Sequence, residues 1–189
     1  HKYWFYIENK KKVKEKMNKA ILYPKAYFNS VIDITIEFLE QNKIKGLILD
    51  VDNTLIDYNK NMLVGLDKWI EEIKQSNIKL YILSNSNKKE KVANVANKLQ
   101  IEYSYFAKKP FKFGFNKVKE ILNLDSENIA VIGDQIFTDV IGANRSQMFS
   151  ILVKPINEKD IWVTKIKRPI ENSIIKKYLE KEEKNKRCI

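Results

Sequence analysis

The sequence predicts an α/β fold in which a parallel sheet is covered by helices on both faces. Three observations point there. Short, unbroken apolar runs alternate with segments whose apolar residues recur at helical spacing, the pattern of strands buried on both faces and the helices that cover them. Several of those runs end in Asp or Ser, as strands do where their carboxyl ends open onto a ligand crevice. The chain has 189 residues, 44% of them hydrophobic and 31% charged. That is room for one such domain, and two would be cramped.

In chain order, Val31, Ile34 and Phe38 suit a leading helix. Gly46–Val51 is an apolar run interrupted only by Asp50, a buried strand ending in a carboxylate. Leu66, Trp69, Ile70 and Ile73 mark a helix, and Lys79–Leu83 is a second strand-like run. Val92, Val95, Ala96 and Leu99 mark the next helix; Phe115, Val118, Ile121 and Leu122 mark another. Ile129–Ile132 reads as a strand closed by Gly133-Asp134, followed by a short helix at about 138–145 and a strand at 149–153. Pro155 and Pro169 should break the stretch after it, and a charged helix from about 170 ends the pattern. The expected organisation is a basic, aromatic N-terminal segment over 1–24, a core over 25–170 and a charged tail over 171–189.

Composition removes much enzymology. One Cys (Cys188) excludes a disulfide framework and any Cys-based zinc site, and one His (His1) excludes His-based metalloproteases and Ser-His-Asp triads within the fold. With five Gly, neither a dinucleotide fingerprint nor a Walker loop can be written. The net charge of +11 sits at the ends: residues 1–45 and 154–189 carry +5 each, and the middle is near neutral. Nearly all the cations are lysines, so Arg-type bidentate recognition is not favoured and no specific nucleic acid is expected. The excess has two readings, attraction to an anionic surface or a bias toward Lys, Asn and Ile throughout the chain. His1–Ile7, rich in aromatics and followed by Lys10-Lys11-Lys12, reads as an interfacial membrane anchor, a core strand or a non-native leader. It lacks the long apolar centre and cleavage site of a secretory signal, and no run of 18 apolar residues exists. The expected location is the cytoplasm, at the inner face of a membrane. The oligomeric state is not readable.

The chemistry gathers at strand ends. Asp50-Val51-Asp52-Asn53-Thr54 follows the first strand, Ser84-Asn85 the second, and Gly133-Asp134 with Asp139 the later one; Lys108-Lys109-Pro110 lies in a loop between. Carboxylates without imidazole suit a hard cation such as Mg²⁺, and a lysine beside them suits a phosphate ligand.

In that order, Asp50-Val51-Asp52-Asn53-Thr54, Ser84, Lys109-Pro110 and Gly133-Asp134…Asp139 resemble the four motifs of the haloacid dehalogenase (HAD) phosphatases. Leu49–Leu55, Lys109-Pro110, Gly133-Asp134-Gln135…Thr138-Asp139-Val140 and Gly142-Ala143-Asn144-Arg145 are similar to the YqeG branch, itself similar to the mitochondrial phosphatidylglycerophosphate phosphatases. The likeness extends from about Ala20 to about Leu179 and includes Trp162, Thr164 and Lys165. It implies a Rossmann-like core, Mg²⁺, and catalysis by Asp50 as nucleophile, Asp52 as general acid–base and Lys109 as charge stabiliser. Ser84, Asn85, Thr54 and Lys109 would hold the substrate phosphate. Asp50, the Asp52 carbonyl and Asp134 would hold the metal, with Asp139 in support. The intervals Thr54–Ser84 and Ser84–Lys109 are too short for the cap domain that many HAD enzymes carry. An uncapped site admits a phosphate on something large, and the resemblance favours an anionic lipid headgroup. Another phosphate ester, a phosphoprotein, a nucleic-acid end, and a non-catalytic polyanion-binding role remain open at this point.

Overall fold

The computed structural model describes residues 20–157 and 162–187, with side chains for 20–157 and 169–184. The aromatic segment His1–Ile7, Cys188 and the side chains of Trp162, Thr164 and Lys165 therefore lie outside the described residues.

Six parallel strands form one sheet: β1 (Ala26–Phe28), β2 (Gly46–Leu49), β3 (Lys79–Leu83), β4 (Glu102–Ser104), β5 (Ile129–Gly133) and β6 (Phe149–Val153). Their spatial order is β1-β6-β5-β2-β3-β4. The register pairs Leu49 with Ile82 on one side and Ile132 on the other. The helices are α1 (Ile36–Gln41), α2 (Leu66–Gln75), α3 (Lys89–Leu99), α4 (Lys112–Leu122), α5 (Ile141–Arg145) and α6 (Trp162–Arg187).

Strand alternation sorts the core into two layers. Leu47 and Leu49 face a cluster with Ile34 and with Leu39, Trp69, Ile73, Val92 and Ala96 from the first three helices. Ile48 faces the other way, onto Phe115, Val118, Ala143 and Met148. The central strands are buried at every position, which is why they appear in the sequence as unbroken apolar runs rather than alternating ones. Trp69 enters its layer without leaving its indole N–H unpaired, donating to the Ile34 carbonyl at 2.8 Å.

Four details differ from the sequence expectation. The leading helix is split into a 3-10 turn at Val31–Asp33 and α1, with Ile34 between them. Edge strand β1 is an addition, half-buried throughout. Ile121 is exposed, while its neighbours Val118 and Leu122 are buried. Pro169 lies inside α6 instead of breaking the chain. The intervals before Ser84 and Lys109 hold only α2 with β3 and α3 with β4, so among the described residues no cap domain is inserted there.

Candidate active site

The sheet order reverses direction between β2 and β5, and in open α/β sheets the carboxyl ends of the strands at such a switch point are where ligands bind. Asp50 follows β2 and its N–H donates to the Ile132 carbonyl at 2.9 Å, so it continues the ladder beside β5. Asp134 follows β5. Gly133 is needed between them: a Cβ there would lie 2.3 Å from Asp139 Cγ. The absent side chain is what lets the Asp139 carboxylate fold back over the strand end.

Lys109 comes from the loop after β4, and its Nζ donates to Asp50 Oδ1 at 2.6 Å and to Asp139 Oδ1 at 2.7 Å. All three side chains are buried. The loop is held from below by Asn85, whose Oδ1 accepts from the Lys109 N–H at 2.6 Å while its Nδ2 donates to the Lys109 carbonyl at 3.0 Å. Asp139 sits in a π-helical turn, Ile136–Val140, and its Oδ2 accepts from the Gln135 N–H at 3.2 Å. From α6, Glu171 caps the same turn by accepting from the Phe137 N–H at 3.1 Å.

Burial pushes the Asp50 carboxyl up to about 7; Lys109 draws it down, while Asp139 and Asp52 add to the rise. For Lys109, burial works against the ammonium, but Asp139 and Asp50 outweigh it and hold its pKa above the ordinary lysine value. The lysine is thus a fixed cation, and Asp50 is the group under electrostatic stress.

One carboxylate oxygen from each of Asp50, Asp134 and Asp139 lies within 4.8 Å of the others. With Lys109, these four side chains sum to −2 when ionised, in a buried place. An oxygen-only donor set of this charge fits a hard dication, which would neutralise it. A buried hydroxyl nearby in sequence adds to the fit: Thr54 Oγ1 has no hydrogen-bond partner among the described residues.

The predicted residues are not all used alike. Asp50, Lys109, Asp134 and Asp139 meet in one cluster. Asp139 belongs to it as fully as Asp134 does. Ser84 is buried, and its Oγ accepts from the Ser86 N–H at 3.1 Å. Asn85 spends both ends of its amide on the Lys109 main chain. Asn53, at φ +59°, ties the loop through its N–H to the Ile56 carbonyl and its carbonyl to the Ile156 N–H. Asp52 stands apart from the cluster with its side chain half exposed, paired to Lys91 of α3. Lys91 is the residue that sequence reasoning missed.

The sequence profile of the mitochondrial PGP phosphatase family matches residues 7–157, most of the chain. The chain belongs to that family. It is also 36% identical over 160 residues to the probable phosphatase YqeG of Bacillus subtilis, covering 84% of this chain and 92% of the relative. Solved structures share the fold. An uncharacterized protein from Listeria monocytogenes superposes with a TM-score of 0.51 at 20% identity, over 62% of this chain and 85% of that one. The cobalt-bound deoxy-D-mannose-octulosonate 8-phosphate phosphatase of Haemophilus influenzae gives 0.50 at 16% identity, over 72% and 90%. The protein is a HAD-type phosphatase of the PGP phosphatase family.

Proposed function

We propose that this phosphatase hydrolyses phosphatidylglycerophosphate to phosphatidylglycerol through a phosphoryl-aspartate at Asp50, with Mg²⁺ as its ion. The observation that carries the reading is the buried bridge from Lys109 Nζ to Asp50 and Asp139, beside Asp134.

An oxygen of Asp50 attacks phosphorus, and the bond from phosphorus to the leaving glycerol oxygen breaks. Asp52 gives a proton to that oxygen. In the second half Asp52 takes a proton from water, whose oxygen attacks the phosphoryl-aspartate and frees inorganic phosphate and Asp50. Lys109 is aimed at Asp50 from a buried position, so its charge meets the transferring group without needing to reorganise. Thr54 and Ser84 offer hydroxyls to phosphoryl oxygens. Asn85 acts one step back, fixing the Lys109 main chain. The carboxylates of Asp50 and Asp134 and the Asp52 carbonyl would hold Mg²⁺, with Asp139 in support. When bound, the ion supplies the positive charge that lets a carboxylate approach a phosphate dianion.

The lipid substrate is supported by the family and by the lack of an inserted cap domain among the described residues. Phosphate release from phosphatidylglycerophosphate in detergent micelles tests the proposal, run beside soluble phosphate esters and with Asp50→Asn as control. Release from the lipid by the parent alone is the expected result. Release only from soluble esters overturns the lipid assignment, and release by Asp50→Asn overturns the nucleophile.

A further inference from the structure

The loop that turns Lys109 inward turns four aromatic rings outward. Tyr105, Phe106, Phe111 and Phe113 are 41%, 55%, 67% and 79% exposed. They lie within nine residues that straddle Lys109 and continue into the first turn of α4. Helix periodicity does not require them: α4 buries Phe115, Val118 and Leu122 on its core face and turns Phe113 away from it. Exposed rings gain nothing for the fold from burial, and a cluster this dense marks a contact surface rather than scattered surface apolarity. Phe106, Phe111 and Phe113 line a groove of about 410 Å³ with Lys108 and Lys117.

The charge around the rings decides the partner. From Tyr103 to Lys119, apart from the buried and paired Lys109, there are four lysines and no acidic residue. Lys108 and Lys89 lie 5.2 and 6.0 Å from the ring centres of Phe106 and Tyr105. Aromatic rings suit headgroup depth, and lysines beside them suit an anionic leaflet.

We propose that the β4–α4 loop is a docking surface for an anionic lipid bilayer, entering the headgroup layer and setting the mouth of the active site against the membrane. This rests on the reading above that the substrate phosphate belongs to a bilayer lipid. It locates the membrane contact at the rim of the site instead of in the basic termini. Lys109 and the rings share one short loop, so the depth of the rings sets the height of the reacting carboxylate above the leaflet.

The test is co-sedimentation of the full chain with phosphatidylcholine vesicles containing half phosphatidylglycerol. The parent is compared with a variant carrying Phe106→Ser, Phe111→Ser and Phe113→Ser, and hydrogen exchange over residues 105–113 is measured on the parent with and without vesicles. The expected result is a loss of partitioning on the order of tenfold in the variant, with exchange over 105–113 slowed by vesicles. Equal partitioning of parent and variant overturns the proposal, as does unchanged exchange over 105–113. Failure of the parent to bind vesicles overturns it too, leaving the rings to a protein partner. Should the variant melt early, the parent's exchange decides alone. Phosphate release from the lipid in micelles is scored separately: release without vesicle contact sinks the docking surface alone, and vesicle contact without release sinks the substrate assignment alone.

Discussion

Lys91 grips Asp52 with both carboxylate oxygens in reach, its Nζ 2.5 Å from Oδ1 and 2.6 Å from Oδ2. The lysine stands on α3 and the aspartate in the loop after β2, so the pair ties that helix to the motif loop. In the proposed reaction the leaving oxygen faces Asp52, which makes Lys91 the first cation that the rest of the leaving group meets. It also lines a groove of about 710 Å³ with Lys60, Lys88, Lys89 and Lys98. A leaving group with a second anion, such as a phosphodiester one glycerol away, would take over the ammonium and free Asp52. Lys91→Met should therefore lower kcat/KM for the deacylated, soluble headgroup of phosphatidylglycerophosphate about 10- to 100-fold, the worth of a charged hydrogen bond. For phenyl phosphate, which lacks that second anion, the change should be much smaller. Equal losses on both substrates would remove Lys91 from specificity.

Asp50→Asn should abolish turnover without weakening the fold. Lys109 keeps Asp139 as a partner, and the substitution removes a carboxylate that burial and the neighbouring aspartates already disfavour. Metal-free thermal unfolding should give a Tm equal to or above the parent's. A clear drop would mean that the Asp50–Lys109 bond contributes more than its desolvation costs.

Lys109→Ala should behave in the opposite way. It strands Asp50 and Asp139 in a buried site, and breaking a buried pair from one side costs roughly 3–5 kcal/mol. Turnover should fall on the order of 10²–10³-fold at least, as for loss of one preorganised donor. Urea unfolding and steady-state rates check the two halves. A stable but inactive variant would show that another cation has replaced the ammonium.

Gly133→Ala tests the close approach at the β5 end. The new Cβ meets Asp139 at 2.3 Å, so either strand or carboxylate must shift. A cost of about 1–3 kcal/mol is expected from overpacking, with a fall in kcat larger than the change in Tm implies. Parent-like activity would mean that Asp139 can leave Lys109 without consequence.

Chelation should stop turnover, and Mg²⁺ should restore it. Because the ion would bind only the folded strand-end cluster, saturating Mg²⁺ should raise stability by about 2.7 kcal/mol at 100 times Kd. Asp134→Asn should lose most of that increment. A Tm insensitive to Mg²⁺ in the parent would count against the cluster as its site.

The parts legible in the sequence were those governed by local pattern. β2, β3, β5 and β6 are runs of apolar residues because neighbours cover them, and the motif residues follow them by fixed steps. β1 escaped notice because three half-buried edge residues carry no such run. β4, three residues long and not fully buried, carries no such run either. Pro169 could not be placed by rule, since a helix that begins at Trp162 already encloses it. Lys91 was invisible for a different reason. One lysine among many on a helix acquires meaning only when the fold swings that helix against Asp52. The aromatic rim was likewise hidden, since exposure and not residue type separates Phe113 from Phe115.

The carboxylates and the ammonium of the site hang from unequal parts of the sheet. Asp50 and Asp134 extend β2 and β5, each flanked by strands on both sides, whereas Lys109 follows β4, one of the two edge ribbons. Fraying begins at margins. As the molecule softens, the cation should come adrift while the acids still stand together, so warming should silence the enzyme by degrees, before the protein as a whole gives way.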